Sequence, residues 1–86
     1  MHFETTHRFD KDYRVLPAEI KDRVKKTLEL LQKDSSHPSL HHKKMQGYAD
    51  VFEARITYSY RLTYLKIGDI GYLRRVGPHD ILRHPY

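Results

Sequence analysis

Apolar residues keep a helical rhythm through the first third of this chain and a strand rhythm through its second half. In "RFDKDYRVL", Phe9, Tyr13 and Leu16 stand at i, i+4 and i+7, which is one face of a helix. Pro17 is tolerated in a first turn, so it opens a second, longer helix. Within "PAEIKDRVKKTLELLQKD", Ile20, Val24, Leu28 and Leu31 form a core-facing stripe with Lys, Asp and Glu opposite. "SSHPS" ends that helix, because Pro38 cannot continue it and serines favour turns. Ahead of both helices, "HFETT" alternates weakly and suits a short strand.

Beyond Pro38 the period drops to two. "LHHKKMQG" reads as a weak, polar strand, and "VFEARITY" sets Phe52, Ala54, Ile56 and Tyr58 against Glu53, Arg55 and Thr57. "YRLTYLKI" adds Leu62 and Tyr64 to the apolar side and Arg61 and Thr63 to the polar one. Residues 51–67 would make an unusually long strand, so a turn is expected near Tyr58-Ser59. "GD" between Ile67 and Ile70 is a two-residue hairpin signal. "IGYLRRV" closes the sheet, with no alternation to say which face is buried. The expected architecture is α+β: two N-terminal helices packed on one face of a twisted antiparallel β-sheet, in a single domain over residues 1–86.

Composition narrows the class. Of 86 residues, 38% are hydrophobic, below the ~45–50% usual for globular chains, so the core is thin. Leu, Ile, Val and Phe still number 21, above the ~20% level that marks disorder. There is no cysteine, which excludes disulfides and thiolate metal sites and favours the cytoplasm. No apolar run reaches a membrane span, and "MHFETTHRF" lacks the apolar stretch of a signal peptide. His37, His41 and His42 match no zinc spacing, and neighbouring strand residues point to opposite faces. Neither metal nor cofactor is expected.

Charge is unevenly placed. Residues 1–36 carry eight Lys/Arg against seven Asp/Glu, whereas residues 37–86 carry eight against four and hold five of the seven histidines. A neutral first half and a basic, Tyr-rich second half point to a polyanion. If the helices cover the apolar side of the sheet, the open side displays Glu53, Arg55, Arg61 and one of Lys43 or Lys44, with Arg74 or Arg75 nearby. Guanidinium groups interleaved with phenol rings suit RNA, with charge for phosphates and π-faces for bases. His79 follows the last strand, where an imidazole could move a proton. It could equally belong to a helix start capped by Asp80. One of His41 and His42, with His42 as the candidate, could also face the RNA.

Three stretches carry a resemblance: "FDKDYRVLP", "SLHHKKMQGYADVFEARITYSYRLTY" and "YLRRVGPHD". In order and spacing they resemble the RelE/ParE superfamily of toxins from type II toxin–antitoxin pairs, in its RelE/YafQ/YoeB-like branch. The most specific pieces are "YRLTY" and the Val-Gly pair before His79. The resemblance implies a metal-independent, ribosome-dependent messenger RNA endonuclease that uses the ribose 2′-hydroxyl as nucleophile. It implies that Arg61 contacts the scissile phosphate, that Arg55 assists, and that His79 is general acid. Lys43, Lys44 and Arg75 would then hold RNA, and His84 or Tyr86 would reach the active centre from the tail. Glu53 stands where one branch has a lysine, and would be either the base or an ion-pair partner. The implied partners are a cognate antitoxin, the ribosome and the message. Two alternatives stay open: a ParE-like inhibitor of DNA gyrase that cuts nothing, and an RNA-binding module without chemistry.

Overall fold

Both expected helices form, and the first has a side-chain cap. The computed structural model describes all 86 residues. Strand β1 (His2–Thr5) leads into α1 (His7–Arg14), whose N-cap Thr6 accepts a hydrogen bond from the Phe9 N–H at 3.3 Å. Pro17 occupies the N-cap of α2 (Ala18–Lys33), one position before its first turn. The stripe on α2 faces inward, with Val24 and Leu31 buried and Ile20 and Leu28 packed partly against the core. No helix is long and apolar enough to cross a membrane.

A short 3₁₀ turn, Pro38–Leu40, precedes β2 (Lys43–Lys44), β3 (Val51–Arg55), β4 (Tyr60–Ile67) and β5 (Ile70–Pro78). The β3–β4 turn falls at residues 56–59, as expected, and Gly68-Asp69 turns β4 into β5 with Gly68 at φ 59°. The five strands are ordered β1-β5-β4-β3-β2. Core residues Leu62, Tyr64, Leu73 and Val76 on the sheet meet Phe9, Leu16, Val24 and Leu31 from the helical segment.

Three features correct the sequence reading. The sheet is mixed, because β1 runs parallel to β5, with His2 opposite Ile70 and Thr5 opposite Leu73. A parallel neighbour needs a crossover, and both helices supply it; hydropathy alternation carries no strand direction. The strand expected in "LHHKKMQG" shrinks to two residues, since His41 takes a left-handed conformation (φ 44°). Finally, Thr63 pairs with Arg75 while Tyr64 pairs with Leu73, leaving Arg74 as an extra residue. This bulge sends both Leu73 and Val76 into the core although they are three apart. It is the reason "IGYLRRV" shows no clean alternation.

β1 ends at Leu73's level, so the rest of β5 would present an open edge. α1 closes it. Thr6 Oγ1 donates to the Leu73 carbonyl at 2.7 Å, and Asp12 accepts from the Val76 N–H at 3.2 Å. The same carboxylate takes Arg75 Nε at 2.6 Å.

Candidate functional site

The face of the sheet away from the helices is built in rows. Arg55 on β3 stands opposite Arg61 on β4, and Arg61 stands opposite Gly77 on β5. A like-charged pair directly across two strands is unfavourable by itself. Burial, and then the neighbouring Arg55, lower the Arg61 pKa from its ordinary value. One end of Arg61 has a structural task. Its Nη1 donates toward the carbonyls of Thr57, Tyr58 and Tyr60 at 2.8, 2.9 and 3.1 Å, tying down the β3–β4 turn.

His79 is brought to the same place by the end of β5. A Cβ on Gly77 would lie 3.0 Å from Ile81 Cγ2, so glycine lets the 3₁₀ turn His79–Arg83 fold closely against the strand. The His79 N–H then donates to the Ser59 carbonyl at 3.0 Å, fixing the turn beside the β3–β4 loop. A cleft of about 330 Å³ results, lined by His41, His42, Lys43, Glu53, Arg55, Arg61 and His79. Arg55, Arg61 and His79 also line an adjoining depression of about 480 Å³ with Tyr58 and Asp80. Arg61 and His79 therefore share one exposed concavity.

Two atoms in this cleft lack partners: Glu53 Oε2 and Arg55 Nε are buried without a hydrogen bond. An unmade bond of this kind costs about 1–3 kcal/mol, more when the group is charged. Glu53 is only 7% exposed, which corrects the expectation that it stands displayed on the open face. Its other oxygen lies 3.3 Å from Lys43 Nζ, on a lysine side chain that is 71% exposed. The Arg55 guanidinium lies over the Tyr58 ring at 5.9 Å.

Other expected residues differ in placement. Lys44 pairs opposite Phe52, in the alternate register to Lys43 and Glu53, and does not line the cleft. His42 does line the cleft, half-buried, and is anchored from behind by the core. Its Nε2 is 2.6 Å from the Tyr64 hydroxyl and its ring stacks on Phe52 at 5.3 Å. Burial, and then Lys66, hold the His42 imidazole below its ordinary value of 6.5, while burial pushes Tyr64 up to about 12. Arg75 is engaged by Asp12 and by the His84 carbonyl, the latter at 2.9 Å, and so is not a free RNA ligand.

The tail crosses the middle of this face instead of entering the cleft. Thr63 donates to the Pro85 carbonyl at 2.8 Å, burying both residues. Tyr86 ends against Tyr48 at 5.5 Å, with the Arg74 guanidinium 5.2 Å from its ring. Neither His84 nor Tyr86 lines the cleft. The sequence offers one of His41 and His42 to the RNA, and both line the cleft; Tyr58, expected on the apolar side, is instead 84% exposed and lines the adjoining depression. His41 enters through its left-handed backbone, for which the sequence offers no signal, whereas Tyr58 follows from the expected turn. His37 Nδ1 accepts from the Ser39 N–H at 3.2 Å and stays outside the cleft that His41 and His42 both line.

No family model and no curated protein matches the sequence. Solved structures do. The RelB–RelE antitoxin–toxin complex from Methanococcus jannaschii superposes with a TM-score of 0.74 at 27% identity, over 98% of this chain and 96% of that one. The Escherichia coli DinJ–YafQ toxin–antitoxin complex gives 0.77 at 19% identity, over 93% of each chain. The archaeal RelE–RelB complex from Pyrococcus horikoshii OT3 gives 0.72 at 17%, over 90% of this chain and 92% of that one. The last two speak for the fold alone. These likenesses fall on the RelE and YafQ side of the resemblance and lend no support to ParE.

Proposed function

We propose that the chain, similar in fold and at 27% identity to the RelE of a RelB–RelE antitoxin–toxin complex, is a RelE-like toxin of a type II toxin–antitoxin pair, cutting ribosome-bound messenger RNA in the cytoplasm. The observation that carries this reading is the convergence of Arg55, Arg61 and His79 on one cleft whose lining includes a partly unpaired carboxylate.

RNA supplies its own nucleophile. The 2′-oxygen attacks the adjacent phosphorus, the bond from phosphorus to the 5′-oxygen breaks, and a 2′,3′-cyclic phosphate and a 5′-hydroxyl result. The reaction needs somewhere for the 2′-hydroxyl proton, cations for charge growing on the phosphate, and a proton for the leaving oxygen. In this proposal Arg55 and the free edge of Arg61 face the phosphate, and His79 protonates the 5′-oxygen. Glu53 receives the 2′-hydroxyl proton. Lys43, mostly exposed, would move from Glu53 onto the RNA backbone and uncover that carboxylate. The scheme balances without a metal or cofactor.

The proposed partner is an acidic antitoxin segment. The net charge of +5 favours such a ligand, and it would order as it binds the basic surface. The test is a reconstituted translation reaction containing the purified chain. Native protein is expected to leave message fragments ending in 2′,3′-cyclic phosphate. Glu53→Gln is expected to slow cutting by about 10²-fold or more. Intact message with the native chain would defeat the nuclease reading, and unimpaired cutting by Glu53→Gln would remove Glu53 from the base role.

A further inference from the structure

A groove of about 420 Å³ lies between α2 and the β3–β4 turn, next to the cleft. Arg55 and His41 line both depressions, so the two adjoin. Arg23 and Lys26, both exposed and on successive turns of α2, stand along its helical wall. Tyr58, 84% exposed at the tip of the β3–β4 turn, forms the opposite lip. No Asp or Glu lines the groove. α2 carries Glu19, Asp22 and Glu29 as well, so the absence of acids is a property of this side of the helix.

We propose that this groove is a second RNA subsite, in which Arg23 and Lys26 hold a backbone phosphate outside the scissile one and Tyr58 stacks on an unpaired base. The inference rests on the RNA-cleaving reading for its class of ligand. Three features favour RNA over an acidic protein segment. Cations line both depressions; the Tyr58 ring, which Arg55 overlies on one side, is largely exposed beside them, as single-stranded RNA requires; and Arg55, with its unpaired Nε, sits where the two depressions meet, where a strand lying in the cleft would pass. The subsite would orient the message, leaving the chemical step to Glu53 and His79.

The test uses the full chain and a short 2′-O-methyl RNA, which lacks the attacking hydroxyl and so reports binding alone. Affinity is measured across a salt series for the native chain, for Arg23→Gln with Lys26→Gln, and for a charge-matched control, Arg8→Gln with Lys33→Gln. Each lost phosphate contact is expected to flatten the salt slope by about 0.7. The groove variant should show that loss and the control should not. Tyr58→Ala should weaken binding roughly tenfold with the slope unchanged.

A groove variant whose slope and affinity match the native chain overturns the proposal. So does one that binds the RNA normally but loses affinity for poly-glutamate, since the groove would then serve an acidic protein. The nuclease reading is decided separately. If the native chain leaves ribosome-bound message intact while the groove variant still shows the flattened slope, the subsite stands and the cleavage proposal falls. If the native chain cuts while the groove variant binds RNA unaltered, cleavage stands and the subsite falls.

Discussion

Arg75 and Arg55 lie on the same open face of the sheet and have opposite surroundings. Arg75 has a side chain only 13% exposed, an Asp12 carboxylate at 2.6 Å and the His84 carbonyl at 2.9 Å. Arg55 has a buried Nε with no partner and another arginine directly across the strand pair. Asp12 completes β5's edge as well as pairing with Arg75, so the first arrangement holds the fold together. The second offends two local rules, on buried donors and on like charges, and Glu53 and the Tyr58 ring offset it only in part. Such departures concentrate where a ligand of opposite charge completes the set. Thus the centre of the face, closed by the tail, is architecture, and the end beside the β3–β4 turn is the proposed working site.

The contrast can be broken by substitution. Arg55→Ala should lower the cleavage rate by about 10²–10³-fold, the effect of removing one charge-stabilising donor. Its urea midpoint should stay level or rise, because an unpaired group and a like-charge neighbour disappear together. Arg75→Ala should do the converse. Removing one partner of a mostly buried ion pair costs about 3 kcal/mol, readable by urea denaturation, while the folded fraction keeps its cutting rate. Equal loss of stability in both variants would erase the distinction between the two regions.

Smaller effects sharpen the same comparison. Thr63→Val removes the hydroxyl that holds the Pro85 carbonyl and should cost about 1 kcal/mol, with faster amide exchange in the tail. The smallest expected effect is a pH dependence from His42. Its folded pKa lies below the ordinary 6.5, so the unfolded chain binds the proton more readily. Its contribution is complete above about 6.5 and declines as pH falls from there toward the lowered folded value. Chemical denaturation over a pH series should show that decline in the native chain and a flatter profile in His42→Asn.

Much of this arrangement is legible in the sequence because it depends on local period. The Val24 and Leu31 stripe, the Gly68-Asp69 hairpin, the turn at Tyr58-Ser59, and the common face of Glu53, Arg55 and Arg61 all follow from counting residues. What escapes depends on longer-range geometry. β1's direction is set by the crossover, and the Arg74 bulge looks in sequence like a mere lapse of pattern. Neighbouring strand residues point to opposite faces, so only one of His41 and His42 is expected toward RNA; the left-handed backbone of His41 breaks that alternation, and both line the cleft. Pro85's path across Thr63 is tertiary from end to end, so local pattern does not sort Arg75, His84 and Tyr86 from the residues that line the cleft.

The central claim is that the end of the open face bearing Arg55, Arg61 and His79 cuts RNA. Primer extension on messages from cells producing the native chain or His79→Ala tests it most directly. The account expects new 5′ ends inside translated codons with the native chain and about 10²–10⁴-fold fewer with the variant. The same ends at the same frequency in both would contradict it.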